Sequence, residues 1–93
     1  MIQVKVEPCG AMREYFPDPV LEFRLPDGAC LGDLLDGIDA EHGERLAGTV
    51  WNQARRRFRG PVVIKAGSRV LTARDAPLRD GQVVSLFKAL VGG

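Results

Sequence analysis

The order of apolar patterns predicts an α+β domain, a mixed sheet of about four to five strands packed on one main helix. Three observations carry that expectation. Ile2, Val4 and Val6 alternate with Gln3, Lys5 and Glu7, the period-2 signature of a half-buried strand. Leu31, Leu34, Leu35 and Ile38 fall at i, i+3, i+4 and i+7, one stripe of an α-helix. Beyond residue 60 the chain returns to short β-branched runs, Val62-Val63-Ile64 and Val83-Val84, as buried strands do.

The elements follow in order. Pro8 closes the first strand, and the loop from Pro8 to Pro19 leaves room for a short helical piece around 11–15. In Val20-Leu21-Glu22-Phe23-Arg24-Leu25, Leu21, Phe23 and Leu25 share one face of a second strand, ended by the turn Pro26-Asp27-Gly28. Cys30 takes the N-cap position of the helix, Asp33 lies three residues on at the positive end of its dipole, and Gly43 is the expected stop. In 44–60, Leu46, Val50, Ala54 and Phe58 recur every four residues, which allows a second helix; Gly48 and Asn52 argue against it. Gly67-Ser68 is a turn, Val70-Leu71 can add a short strand, and Asp80-Gly81 turns the chain into the last strand, Val83 to Phe87. Lys88 to Gly93 reads as a flexible tail on a single domain spanning 1–93.

Length and composition set bounds on function. Ninety-three residues make one domain, and a 45% hydrophobic, 27% charged composition with mean hydropathy −0.06 is that of a folded chain. No apolar run approaches the ~20 residues of a membrane span, and the N-terminus lacks a signal pattern, so a cytoplasmic location is expected. Net charge is +1, yet residues 1–44 carry ten acids against Lys5, Arg13 and Arg24, and residues 45–93 carry ten bases against Asp75 and Asp80. Such asymmetry either marks a partner surface or is neutralised where the halves pack together.

The catalytic inventory is short. Two cysteines, Cys9 and Cys30, and one histidine, His42, make neither a four-ligand zinc site nor a C-x-x-C pair. His42 reads as a solvated helix-end residue, and Asp33, Asp36, Asp39, Glu41 and Glu44 as a solvated helix face. No phosphate-binding glycine loop is present. Arg55-Arg56-Arg57-Phe58-Arg59 is the strongest charge signal; it could follow a phosphate backbone while Phe58 stacks on a base, but a pI near 7.8 argues against nucleic acid, and the run reads as a solvated segment or a docking patch for an acidic partner. The most informative feature is Leu90-Val91-Gly92-Gly93. Glycines without side chains can thread a narrow channel, and an unhindered carboxylate on Gly93 can be activated as an acyl group.

These residues together resemble the ubiquitin-like sulfur carriers of the MoaD/ThiS family. The resemblance rests on the opening strand, on the turn into the helix (Leu25-Pro26-Asp27-Gly28-Ala29-Cys30-Leu31-Gly32-Asp33-Leu34-Leu35), on Asp75-Ala76-Pro77-Leu78-Arg79-Asp80-Gly81-Gln82-Val83-Val84, and on Gly92-Gly93. It implies a ubiquitin-like β-grasp, with the first and last strands parallel at the sheet centre. It also implies a carrier rather than an enzyme, with no bound cofactor or metal. A ubiquitin-activating-type adenylyltransferase would use ATP to adenylate Gly93, and sulfur from a cysteine desulfurase or rhodanese would convert it to a thiocarboxylate. An acceptor synthase subunit would then take the sulfur for molybdopterin, in molybdenum cofactor biosynthesis. Gly92 would give passage, Phe87 and Leu90 would dock partners, and Arg55, Arg56, Arg57 and Arg59 are further docking candidates. Lys88-Ala89 stands where molybdopterin-type carriers often have prolines, so the thiazole of thiamine or another sulfur-transfer pathway is the alternative. A ubiquitin-like protein modifier and a non-catalytic interaction module are the remaining readings.

Overall fold

A parallel pair of strands organises the structure, a computed structural model that describes residues 1–60 and 62–88. β1 (Ile2–Pro8) and β7 (Val83–Lys88) run side by side, with Lys5 opposite Val83 and Pro8 opposite Leu86. β2 (Leu21–Leu25) flanks β1 antiparallel; β5 (Val62–Ala66) flanks β7 antiparallel and carries β6 (Arg69–Val70) at the edge. The sheet order is β2-β1-β7-β5-β6, the expected five-stranded mixed sheet. Alternation does what the sequence implies: Val4, Val6, Leu21, Phe23, Leu25, Val84 and Leu86 all point into the core.

The Asp80-Gly81 turn brings β7 into register. The Gln3 N–H donates to Asp80 Oδ1 at 2.8 Å, while the Gln3 carbonyl accepts the Gly81 N–H at 2.7 Å. Gly81 holds φ +79°, which an L side chain rarely adopts. The Lys5 N–H then donates to the Gln82 carbonyl at 2.9 Å and leads into the ladder.

The core face of the sheet is covered by α1 (Leu31–Ile38), which buries Leu31, Leu34, Leu35 and Ile38. Its orphan N-terminal donors are satisfied by a distant loop: the Leu31 N–H donates to the Ala76 carbonyl at 2.8 Å, and the Gly32 N–H to the Arg74 carbonyl at 2.7 Å. A Cβ on Gly32 would stand 3.2 Å from that Arg74 oxygen, so glycine permits the close approach. Asp33 closes the helix start, its Oδ2 accepting from the Cys30 N–H at 2.9 Å and from the Cys30 thiol at 3.3 Å. The two segments that carry the family resemblance are thus packed on each other. The short helical piece in the first loop is a 3-10 helix over Gly10–Tyr15 that buries Met12.

Two expectations are corrected after α1. Gly43 does not stop the helix, which continues through a π-helical turn (Asp39–Gly43) into α2 (Glu44–Leu46). Gly43 has ordinary helical dihedrals, and its role is space: a Cβ there would collide with Asp39 Oδ1 and come within 3.2 Å of Trp51 Nε1. Nor is 44–60 a second helix. After a turn at Leu46–Thr49 it forms a two-stranded antiparallel ribbon, β3 (Trp51–Asn52) with β4 (Arg57–Phe58). Leu46, Val50 and Phe58 are buried as helical spacing would have it, but Ala54 is exposed in the ribbon's turn. Trp51, fully buried, meets Phe58 edge-on at 4.8 Å and donates its indole N–H to Asp39 Oδ1 at 2.8 Å.

That bond makes a stability prediction. Asp39→Ala leaves a buried indole N–H unpaired and should destabilise the fold by about 1–3 kcal/mol in urea denaturation. Gly43→Ala should also destabilise, because its methyl displaces the Asp39 carboxylate. In the Asp39→Ala background it should come close to neutral, since the clash is gone and alanine favours helix over glycine by about 1 kcal/mol. Additive costs in this double-mutant cycle would show that the clash is not the cause.

Candidate functional site

β7 delivers the chain to its C-terminal glycines, so the last turns of structure around Phe87 and Lys88 define the candidate site. Leu90, Gly92 and Gly93 lie outside the described residues. At the base of that segment the chain is held from three sides. The Leu86 carbonyl accepts the Cys9 N–H at 2.9 Å, and Lys88 stands opposite Val62 of β5. Lys88 Nζ lies 5.7 Å from the Tyr15 ring centroid and donates to the Tyr15 hydroxyl at 3.4 Å. Arg45 in turn donates to the Tyr15 carbonyl, tying the 3-10 helix to α2.

Phe87 points away from the core, on the sheet face opposite the helix, with 40% of its surface open. It pairs across the sheet with Val63, and Lys65 Nζ sits 5.9 Å from its ring centroid. Val83, two strand residues pairs away on the same face, is 41% exposed. An aromatic ring between aliphatic side chains and a cation is a compact anchor for a protein partner.

The arginine run sits elsewhere and is not one surface. Arg55 and Arg56 occupy the turn of the β3–β4 ribbon, Arg56 with a left-handed φ of +51°. The Arg56 carbonyl accepts from Arg74 at 3.0 Å, and its guanidinium lies 3.7 Å from Asp36. Arg59 Nε donates to the Trp51 carbonyl at 3.3 Å. Phe58 is buried against Trp51, which overturns the idea that it stacks on a nucleic-acid base. Of the run, Arg55 and Arg57 alone have side chains making neither an ion pair nor a hydrogen bond among the described residues.

The carboxylates of the helix are likewise divided. Asp36 accepts a 2.9 Å ion pair from Arg74, a meeting of the acidic and basic halves of the chain, and Asp39 holds Trp51. Asp33 has its acidity raised, chiefly by the Cys30 backbone N–H and then by the Cys30 thiol. His42 is not simply solvated: it lies edge-on to Phe16 at 5.7 Å and 3.0 Å from Arg45. Burial, and secondly the Arg45 charge, push its pKa down. No group of three His, Cys, Asp or Glu among the described residues is placed to hold a metal.

Comparison with solved structures identifies the class. The fold matches small archaeal modifier protein 1 (SAMP1) of Haloferax volcanii with a TM-score of 0.77 at 16% identity, over 98% of this chain and 99% of that one. It matches a putative molybdopterin converting factor, subunit 1, of Pyrococcus furiosus with a TM-score of 0.74 at 27% identity, over 97% of this chain and 100% of that one. Subunit 1 in a complex with subunit 2 of the molybdopterin-converting factor of Helicobacter pylori gives 0.65 at 20% identity, over 99% and 100%. No protein-family model matches the sequence, and the search of curated proteins finds no significant match. The fold and its neighbours define a ubiquitin-like β-grasp protein. More narrowly, its fold is similar to those of the small archaeal modifier proteins and of molybdopterin converting factor subunit 1.

The lowered His42 pKa fixes a pH dependence. The unfolded chain takes up the His42 proton near its ordinary value of about 6.5, while the folded chain resists it to lower pH. Stability should therefore decline as pH falls from 6.5 through the folded-state pKa. Urea midpoints measured from pH 8 to pH 5 should drop less steeply in His42→Gln; an identical slope would show that His42 is not responsible.

Proposed function

We propose that this chain is a sulfur carrier for molybdopterin biosynthesis, acting in the cytoplasm as a substrate-like partner rather than as an enzyme. The observation that supports it is the placement of β7, which leaves the centre of the sheet five residues before Gly93, in a fold shared with a putative molybdopterin converting factor subunit.

The chemistry follows from what Gly92-Gly93 can do. A carboxylate is a poor acyl donor because its leaving group would be oxide. Attack of the Gly93 carboxylate on the α-phosphorus of ATP, on a ubiquitin-activating-type enzyme, expels pyrophosphate and leaves an acyl-adenylate with AMP as leaving group. The terminal sulfur of a persulfide on a cysteine desulfurase or rhodanese then displaces AMP to give an acyl disulfide, and a second thiol cleaves its S–S bond, leaving the Gly93 thiocarboxylate and a disulfide. With no side chain at Gly92, the tail can enter a narrow channel and present sulfur inside an acceptor synthase subunit. The exposed Phe87 face, with Lys65 beside it, gives that partner a rigid surface next to the tail. A complex of subunits 1 and 2 is known for the Helicobacter protein, and a partner of that kind is what this reading expects.

The likeness to small archaeal modifier protein 1 favours a second reading, in which activated Gly93 is joined to lysines of target proteins. Activation is common to both readings and the product divides them.

Intact mass after incubation with the host's activating enzyme, ATP and a sulfur source tests the proposal. A gain equal to the exchange of one oxygen for sulfur, absent after deletion of Gly93, is the expected result. A ladder of conjugates without that gain would favour the modifier reading, and an unchanged mass beside an activated control carrier would defeat both. Phe87→Asp should weaken binding to the acceptor synthase subunit at least about tenfold, while changing stability by less than about 1 kcal/mol because the ring packs on the solvent side.

A further inference from the structure

The helix side of the sheet, away from Phe87, has an opening of its own. Between α1, the β3–β4 ribbon and the β5–β6 edge is a cavity of about 180 Å³. Leu31 and Leu35 of the helix, Phe58 of β4 and Leu71 after β6 line it, and Arg57 and Arg74 border it. Those four apolar residues belong to the core, each at most 6% exposed, while Val70 at the β6 edge is exposed and the two arginines are open to solvent. Arg74 is already turned to Asp36 at 2.9 Å, but Arg57 makes no ion pair among the described residues. The cavity opens on the half of the chain that carries ten bases against two acids.

We propose that this cavity receives one apolar side chain, leucine-sized, presented by an acidic segment of a partner protein. Its size selects the occupant: 180 Å³ falls below the ~300 Å³ at which pockets begin to enclose a small molecule, and is ample for a single anchor residue. Charge selects the flanks. Arg57 at the border and Arg55 on the ribbon turn favour carboxylates on either side of the anchor, and a basic flank would be repelled. The contact is independent of Gly93 chemistry and of the Phe87 face, so it would serve a second partner or a second point of contact with the same one.

The test is an NMR titration of the full-length ¹⁵N-labelled protein with three probe peptides. These are acetyl-Asp-Asp-Leu-Asp-Asp-amide, the same peptide with alanine for leucine, and acetyl-Lys-Lys-Leu-Lys-Lys-amide. Saturable shifts of the Leu31, Leu35 and Leu71 amides are expected with the first. The alanine peptide, and the first peptide with Arg57→Glu protein, should each bind at least about tenfold more weakly, the scale of losing one buried anchor or reversing one charge. The Arg57 side chain has no hydrogen-bond or ion-pair partner among the described residues, so that variant should keep the native spectrum elsewhere. Four outcomes would overturn the proposal. Shifts confined to Arg55–Arg59 and indifferent to the leucine would mean diffuse charge attraction. Shifts centred on Val83–Phe87 would mean the outer sheet face is the site. Binding of free 4-methylpentanoate as tightly as the acidic peptide would make the cavity a small-molecule site. Concentration-dependent shifts without peptide would make the occupant a second copy of the chain.

Discussion

The pairing of β1 with β7 is the constraint on which the rest of the structure depends. It joins residues 5–8 to residues 83–86, nearly opposite ends of the chain, and it is the one parallel ladder in a sheet otherwise antiparallel. Parallel neighbours cannot be joined by a tight turn, so everything between them must serve as crossover. The helix takes that role, and Val4, Val6, Val84 and Leu86 turn their side chains onto it with 0–1% exposure. The same pairing sets the functional geometry. Because β7 is central, the chain that continues past Lys88 leaves from the most firmly held strand, between Cys9 of one neighbour's end and Val62 of the other.

Rigid elements and reactive elements are thereby separated. The docking candidate Phe87 sits on the sheet face, where strand geometry fixes its direction. In the proposed reading, the chemistry at Gly93 needs no side chain of this chain: the carrier would supply shape and an acyl group, and its partners the catalysis.

Much of this was legible in the sequence because the period of apolar residues is a direct image of burial. β1, β2 and α1 show period 2 or 3.6, β7 a short β-branched run, and all four form where those patterns put them. The segment 44–60 misled because burial at Leu46, Val50 and Phe58 has the spacing of a helix face by coincidence. A turn and a two-stranded ribbon present the same residues to the core. The extra helical turns past Ile38 were hidden for a related reason: Gly43 looks like a terminator, and only the folded chain shows that the missing methyl makes room for Asp39 and Trp51. Side-chain roles were the least legible. A carboxylate on a helix face gives no sign in sequence that it will meet an indole twelve residues on or an arginine thirty-eight residues on. The cavity beside Arg57 was likewise invisible, since Leu31, Leu35 and Phe58 read only as core.

The division of charge has a consequence for how the chain comes together. The acidic stretch contains β1, β2 and α1, and the basic stretch contains β5, β6 and β7, which must return to lie beside them. Closing a long loop is the slow, entropically opposed step in such a topology. Here the two ends of that search carry opposite sign and attract over roughly the 10 Å Debye length of dilute buffer. Asp36, met by both Arg56 and Arg74, is where the attraction becomes a contact. The opposite charges of the two stretches thus meet at the surface, beside a core whose buried side chains are apolar.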